Sequence, residues 1–291
     1  MIDRLCVIGV GLIGGSIARA ARERGLCREI IGAGREEDAE NLCKALSLGV
    51  VDIFSVDLAE ASETADYVVI SVPVGENESV FRALRPAWSD RTVYTDVGST
   101  KVSVVEAAKR VFGEVPANFV PAHPIAGAET SGVEAALADL YQDKRLILTP
   151  LAHTSSAALR AVSGFWQAIG CTVSEMTVEH HDAVLAATSH LPHVVAYALV
   201  DMLGKKDEKD EILQYAAGGF RDFTRIASSD PKMWLDICVA NRNEIIDLLR
   251  QFINELNGMS SMLETGADRD LYETFCYAKN ARQRFLDQFE K

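Results

Sequence analysis

The run Gly9-Val10-Gly11-Leu12-Ile13-Gly14 constrains this chain more than any other feature. It follows an apolar stretch, Leu5 to Val10, and opens a helical pattern, Gly15 to Glu23. A GxGxxG run so placed requires a strand that turns sharply into a helix. The first glycine permits the turn and the second lets the backbone approach a pyrophosphate. The third lets helix and strand pack closely, and the helix N–H groups face the anion. The expectation is an α/β chain whose N-terminal half is a Rossmann-type parallel sheet that binds a dinucleotide.

The next segments extend that reading. Glu29 to Gly32, Tyr67 to Val72, Thr92 to Asp96, Phe119 to Ala122, Leu146 to Thr149 and Thr172 to Met176 read as strands. Ala39 to Leu48, Ser79 to Leu84, Val102 to Val111 and Ala157 to Ile169 read as the helices between them. Strands such as Tyr67 to Val72 are almost continuously apolar, as a sheet covered on both faces requires. After about Glu179 the strand signals stop. His181 to Leu203 is a helical run with Pro192 as a kink or break, and Lys205 to Glu211 is a solvated loop or helix end. Ser229-Asp230-Pro231 is a helix start. The following helix carries Ile245, Leu248, Leu249, Phe252 and Leu256 on one stripe and ends near Gly258, and a last helix runs from about Asp270 to Phe289. The 291 residues therefore divide into a dinucleotide-binding Rossmann domain, 1–176, and an all-helical substrate and dimerisation domain, 177–291.

Composition narrows the partners. Forty-two acidic against 29 basic side chains give a net charge of −13, which disfavours nucleic acid and anionic membrane surfaces. The six cysteines are scattered without a CxxC pair, which fits a reducing cytoplasm. No targeting segment is expected at the N-terminus, and no run of about 20 uninterrupted apolar residues marks a membrane span.

The cofactor's 2′ position reads less simply. An NAD-preferring turn usually ends its second strand in an acid that holds the ribose hydroxyls. Here that strand ends Gly32-Ala33-Gly34-Arg35. Arg35 can pair with a 2′-phosphate, which favours NADP, or it can be a surface arginine neutralised by Glu36 and Glu37. The cofactor is NADP or NAD. The expected binding set is Gly9, Gly11, Leu12, Ile13 and Gly14 of the turn, with Arg35, Ser71 and Pro73.

Two segments leave the carboxyl edge of the sheet, where ligands of open α/β folds bind: Asp96-Val97-Gly98-Ser99-Thr100-Lys101, and Pro121-Ala122-His123-Pro124-Ile125-Ala126-Gly127. A histidine between two prolines, Pro121 and Pro124, at a strand end sits on stiff backbone. Ser99 can contact ligand, cap the following helix, or do both. The helical half adds Ser189-His190-Leu191-Pro192-His193 and Gly219-Phe220-Arg221-Asp222-Phe223-Thr224-Arg225. His190 and His193 can share a helix face, but no cysteine or ordered carboxylate completes a ligand set, so no metal is expected. His180 and His181 read as surface or helix-start residues.

With these segments in order, VIGVGLIGGS, DVGSTK, HPIAGAETSGVEAA, SHLPH and FRDFTRIASSDPKMW, the chain resembles the prephenate/arogenate (cyclohexadienyl) dehydrogenases of tyrosine biosynthesis, from Val7 to Trp234. The resemblance implies oxidation of the C4 carbinol of a cyclohexadiene ring, with hydride passing to the nicotinamide and the C1 carboxylate leaving as CO2. It implies that His123 accepts the hydroxyl proton and that Ser99 positions that hydroxyl and the nicotinamide. It further implies that Arg225 binds a substrate carboxylate, that His193 contacts substrate, and that Glu129 and Asp222 are acids near the entrance. Prephenate and arogenate differ by one ammonium group. An acid beside it favours arogenate, with Glu129 and Asp222 as the available acids. A homodimer formed through the helical half is also implied, with no fused mutase or regulatory module. Dehydrogenases of the 3-hydroxy-acid type are disfavoured, because they use a catalytic lysine and this chain has none between Lys144 and Lys205. A nucleotide sensor without turnover is disfavoured by the intact Ser99, His123, His193 and Arg225.

Overall fold

A computed structural model describes residues 1–127 and 130–287. Strands β1 (Ile2–Ile8), β2 (Cys27–Ala33), β3 (Ile53–Ser55), β4 (Tyr67–Ile70), β5 (Val93–Asp96) and β6 (Phe119–Val120) form one parallel sheet in the order β3-β2-β1-β4-β5-β6. The order reverses direction at β1 and β4, which places a crevice beyond their carboxyl ends. Helices α1 (Leu12–Glu23), α2 (Ala39–Ser47), α3 (Leu58–Glu63), α4 (Asn77–Leu84) and α5 (Val102–Phe112) connect the strands. Side chains alternate between two cores: Leu5, Val7, Tyr67 and Val69 pack on one face, and Cys6, Ile8, Val68 and Ile70 on the other. Both faces are therefore dry, as the apolar strands require.

The short β3 and α3 escaped the sequence reading. β3 is a three-residue edge strand whose Ile53 is exposed, so it carries no apolar alternation. α3 is announced only by Asp57, whose carboxylate accepts from the Ala59 and Glu60 amides (2.9 and 3.1 Å).

A larger correction concerns the strand read as Phe119 to Ala122, with His123 at its end. The chain breaks at Pro121, which has no N–H to donate to a ladder. β6 stays in the parallel sheet, while β7 (Ala122–Ile125) joins a second sheet, antiparallel to β8 (Arg145–Leu148), which pairs parallel with β9 (Thr172–Glu175). His123 thus lies inside a strand, opposite Ile147. α6 (Ser156–Ala168) precedes β9.

Among the described residues, the chain from Val178 onward is built of helices and their connections. α7 (Val178–Leu185) passes through a π turn, Ala186–His190, into α8 (Leu191–Gly204). Pro192 sits in the first turn of α8, and the wider π turn before it absorbs the ring and the missing N–H without ending the helix. By length and composition Val178–Gly204 is apolar enough to cross a membrane, with mean hydropathy 1.5. Serine, threonine and histidine punctuate it, so it holds no uninterrupted apolar run of that length. α9 (Lys209–Gln214) takes the end of the charged run, followed by α10 (Gly218–Thr224) and α11 (Pro231–Ala240). Asp230 caps α11, accepting from the Met233 amide at 2.7 Å.

α12 (Arg242–Thr265) runs straight through Gly258, contrary to the expected stop. One glycine costs a helix only about 1 kcal/mol relative to alanine. The break comes at Gly266, which adopts φ +67° before α13 (Asp268–Leu286). The chain packs as two compact units, Met1–Arg242 and Asn243–Lys291. Residues 177–242, read from sequence with the helical half, pack within the first of these units.

Candidate active site

The glycine turn behaves as its spacing requires. Gly9 has φ +85°, and a Cβ there would collide with the Ser71 carbonyl on the neighbouring strand end. At Gly14 a Cβ would strike the Gly9 carbonyl. Gly11 meets nothing within 4 Å, so its backbone is open to a ligand. It precedes α1 with no side-chain cap, which leaves the helix start to an outside partner. A cavity of about 270 Å³ lies over this turn, walled by Gly9 and Gly11, by Gly34 and Arg35 after β2, and by Ser71 and Pro73 after β4. Leu12, Ile13 and Gly14 are not in its wall. Leu12 is buried, and the Ile13 carbonyl accepts from the Tyr141 hydroxyl at 2.7 Å. The Ser71 hydroxyl is buried with no hydrogen-bond partner. An orphaned hydroxyl, a bare glycine turn and an uncapped helix start fit a dinucleotide.

The second assembly is made of side chains. Asp96, at the end of β5, is fully buried. Its carboxylate accepts from the Gly98 amide (2.8 Å), from the Ala122 amide (3.1 Å) and from the buried Lys101 ammonium. Lys101 also donates to the Ala122 carbonyl at 2.6 Å. The pair thereby clamps the residue before His123 from both sides. Burial pulls the Lys101 ammonium below its usual value, and Asp96 works against that shift.

His123 Nδ1 lies 2.9 Å from His181 Nε2, and His181 Nδ1 lies 2.7 Å from Asp182 Oδ1. His181 lies in the first turn of α7 but is fully buried, which corrects the surface alternative of its reading; His180 is the exposed one. The reason is helical spacing: Val178, His181, Asp182 and Leu185 are the inward stripe of α7. Asp182 is a site residue the sequence reading missed, and the i, i+3, i+4, i+7 pattern was the available signal. It also caps α5, accepting from the Lys101 and Val102 amides at 2.7 and 3.0 Å. Ser99 is therefore not the cap. It is half-buried in the turn between β5 and α5.

Hydrogen-bond logic fixes the tautomers. Asp182 only accepts, so His181 carries its proton on Nδ1 and offers the Nε2 lone pair to the His123 Nδ1–H. His123 Nε2 is left with a lone pair. Burial first, then the charges of His181, Lys101 and His190, hold His123 well below the usual histidine value. Burial likewise lowers His181. Burial pushes the Asp182 carboxyl upward but is outweighed by the bonds from His181 and the two α5 amides, which keep it below its usual value.

His190 and His193 meet on Trp234 of α11. The His193 ring stacks on the indole at 3.6 Å, and the His190 ring stands edge-on at 6.1 Å. His193 Nδ1 donates to the Ser189 carbonyl at 2.9 Å, which leaves Nε2 as an acceptor. The buried His190 is held by Asn241, 3.1 Å away, and burial drops it to about 4. Burial also lowers His193, as does the Arg225 charge nearby. Arg225 itself is exposed, and Asp222 is exposed and paired with Arg221 at 3.7 Å. Glu129 lies outside the described residues. Among the described residues no group of three or more His, Cys, Asp and Glu side chains is arranged to hold a metal.

The two assemblies adjoin. A Cβ at Gly98 would lie 3.1 Å from Val74, next to the Pro73 wall of the cavity, and one at Gly75 would lie 3.1 Å from Asp236 of α11. A dinucleotide cavity beside a buried, neutral histidine with one free lone pair defines an NAD(P)-dependent oxidoreductase. Residues 17–175 match the family "Prephenate dehydrogenase, nucleotide-binding domain", and residues 177–277 match "Prephenate dehydrogenase, dimerization domain". The chain belongs to the prephenate dehydrogenase family. It is 38% identical to a cyclohexadienyl dehydrogenase of Zymomonas mobilis, over 97% of this chain and 96% of that one. It is 35% identical to a prephenate dehydrogenase of Bacillus subtilis, over 97% of this chain and 76% of that one. A crystal structure of prephenate dehydrogenase from Aquifex aeolicus, in complex with hydroxyphenyl propionate and NAD+, superposes with a TM-score of 0.90 at 35% identity, covering 98% and 99% of the two chains.

Proposed function

We propose that this protein oxidises prephenate, arogenate or both, with decarboxylation to 4-hydroxyphenylpyruvate or tyrosine, as a cytoplasmic homodimer serving tyrosine biosynthesis. The observation that carries the reading is the chain His123–His181–Asp182 beside the glycine-turn cavity. The bound nicotinamide supplies the hydride acceptor. Gly9, Gly11, Ser71 and Pro73 hold the dinucleotide, with Leu12, Ile13 and Gly14 shaping the turn. His123 Nε2 takes the C4 hydroxyl proton. Its Nδ1–H stays directed at His181, whose own Nδ1–H faces the Asp182 carboxylate, so the charge that develops on His123 is met by a fixed anion two links away. Ser99 orients the hydroxyl. Arg225 pairs with a substrate carboxylate, in the bidentate geometry that guanidinium favours. His193, stacked on Trp234, offers Nε2 as an acceptor to the substrate, and Asp222 and Glu129 are the acids available to an ammonium group of the substrate. Loss of CO2 yields an aromatic ring, so chemistry is downhill once hydride and proton are aligned.

The division 1–176 and 177–291 into nucleotide and helical domains is part of this proposal, and the two family matches meet at that point. Dimerisation is supported by the second match and by apolar residues left exposed on α8, α12 and α13, such as Met202, Leu263 and Phe275. An assay of prephenate and arogenate, each with NAD and NADP, tests the activity. Reduced cofactor must appear with at least one pair, and its absence from all four would sink the reading. Sedimentation as a monomer would remove the dimer.

A further inference from the structure

Arg35 stands where a 2′-phosphate ligand would stand, yet it is surrounded by acid. Its Nε lies 3.1 Å from Glu37 and 3.7 Å from Asp38, and its Nη1 lies 3.2 Å from Glu76, which comes from the β4 side of the cavity. Three carboxylates face one cation. Lys232, which also feels Glu76, is held by Asp236 at 2.8 Å. The expected neutralising partners were Glu36 and Glu37; the structure substitutes Asp38 and Glu76 for Glu36.

We propose that these carboxylates make the site select NAD over NADP, with Asp38 standing in for the acid absent from the end of β2. This rests on the dinucleotide reading of the cavity. Asp38 reaches back from the turn before α2 and accepts from the Arg35 amide at 2.9 Å. Its Oδ2 lies 3.1 Å from the position of a Cβ on Gly34, so Gly34 is the residue that makes room for it. Gly34, Arg35, Asp38 and Glu76 all line the cavity. In a GxGxxG fold the ribose hydroxyls are met at the end of the second strand. A carboxylate at that place accepts from two hydroxyls and repels a phosphate dianion. Arg35 offsets little of the repulsion, because its Nε and Nη1 already face carboxylates. Its bridge to Glu76 instead joins the two cavity walls on the adenosine side.

The test is equilibrium binding, followed by protein fluorescence, of NAD+ and NADP+, and of the fragments ADP and 2′,5′-ADP. Wild-type protein should bind NADP+ at least about tenfold more weakly than NAD+, with the fragments in the same order. In Asp38→Asn/Glu76→Gln, where Asn keeps an oxygen for the Arg35 amide, the ratio should shift about tenfold or more toward NADP+. Adding Arg35→Ala should abolish that gain, since the freed guanidinium provides it. A smaller wild-type difference, or a ratio unmoved in the double variant, overturns the proposal while leaving the dinucleotide site standing. Failure of the wild type to bind either nucleotide overturns both, and the fragment comparison needs no variant to fold.

Discussion

The dinucleotide cavity and the histidine cluster are built in opposite ways. The cavity is walled by short consecutive stretches at the ends of β1, β2 and β4, and the turn beneath it depends on backbone positions that tolerate no Cβ, at Gly9 and Gly14. The cluster joins side chains 58 residues apart, and a carboxylate to a backbone amide 81 residues away, from β7, α7 and the start of α5, and nearly every member is buried. The first kind of site holds a dinucleotide chiefly through backbone, so its overall affinity is most brittle at the glycines, while side chains such as Asp38 and Glu76 tune which cofactor it prefers. The second depends on each side chain in turn, because a buried polar group that loses its partner has no water to replace it.

The sharpest break in that comparison is expected at His123. His123→Asn removes the free Nε2 lone pair and should lower kcat by about a thousandfold, within the usual range for a general base, while the cofactor dissociation constant barely moves. Near-normal kcat would show that the cluster is structural.

A single methyl group probes the other region. Gly9→Ala forces a Cβ onto the Ser71 carbonyl at a left-handed φ and should weaken cofactor binding by about a hundredfold, through strain on the order of 3 kcal/mol. Because the histidine cluster does not share that backbone, kcat at saturating cofactor should fall far less than in His123→Asn. A titration of the cofactor alongside steady-state rates separates the two, and an unchanged dissociation constant would contradict a backbone-built site.

The smallest expected effect concerns acid stability. His190 is held neutral by burial, at about 4 when folded against 6.5 unfolded. Below the unfolded value the unfolded chain binds the extra proton and the folded one does not, so stability is lost as pH falls from about 6.5 toward 4. Between pH 7 and pH 5 this one histidine should cost about 2 kcal/mol. Denaturant melts at both pH values would show the loss, and His190→Gln should reduce it. Equal slopes in both proteins would mean that His190 titrates normally.

Much of the nucleotide half was legible because its signals are local. GxGxxG, an apolar run and a helical pattern all occur within 23 residues, and each has one cheap backbone solution. His123 and Ser99 were legible as residues at a strand edge, but their surroundings were not. Nothing within a few positions of His123 announces His181, and the adjacent pair His180-His181 looks the same in sequence until the α7 stripe turns one inward. Asp182 was missed for that reason, and so was the buried clamp of Asp96 and Lys101. Pro121 was visible as a residue that cannot donate to a ladder, yet the transfer of the chain into a second sheet depends on where β8 lies.

The sequence by itself therefore determined the glycine turn, the parallel sheet that carries it and the helical remainder, since backbone sterics and hydrophobic periodicity act over short spans. Only the tertiary structure decided which histidine is buried, which tautomer His123 holds and which acids face Arg35. Those outcomes are set by burial and charge proximity among residues that the fold brings together and the sequence keeps apart.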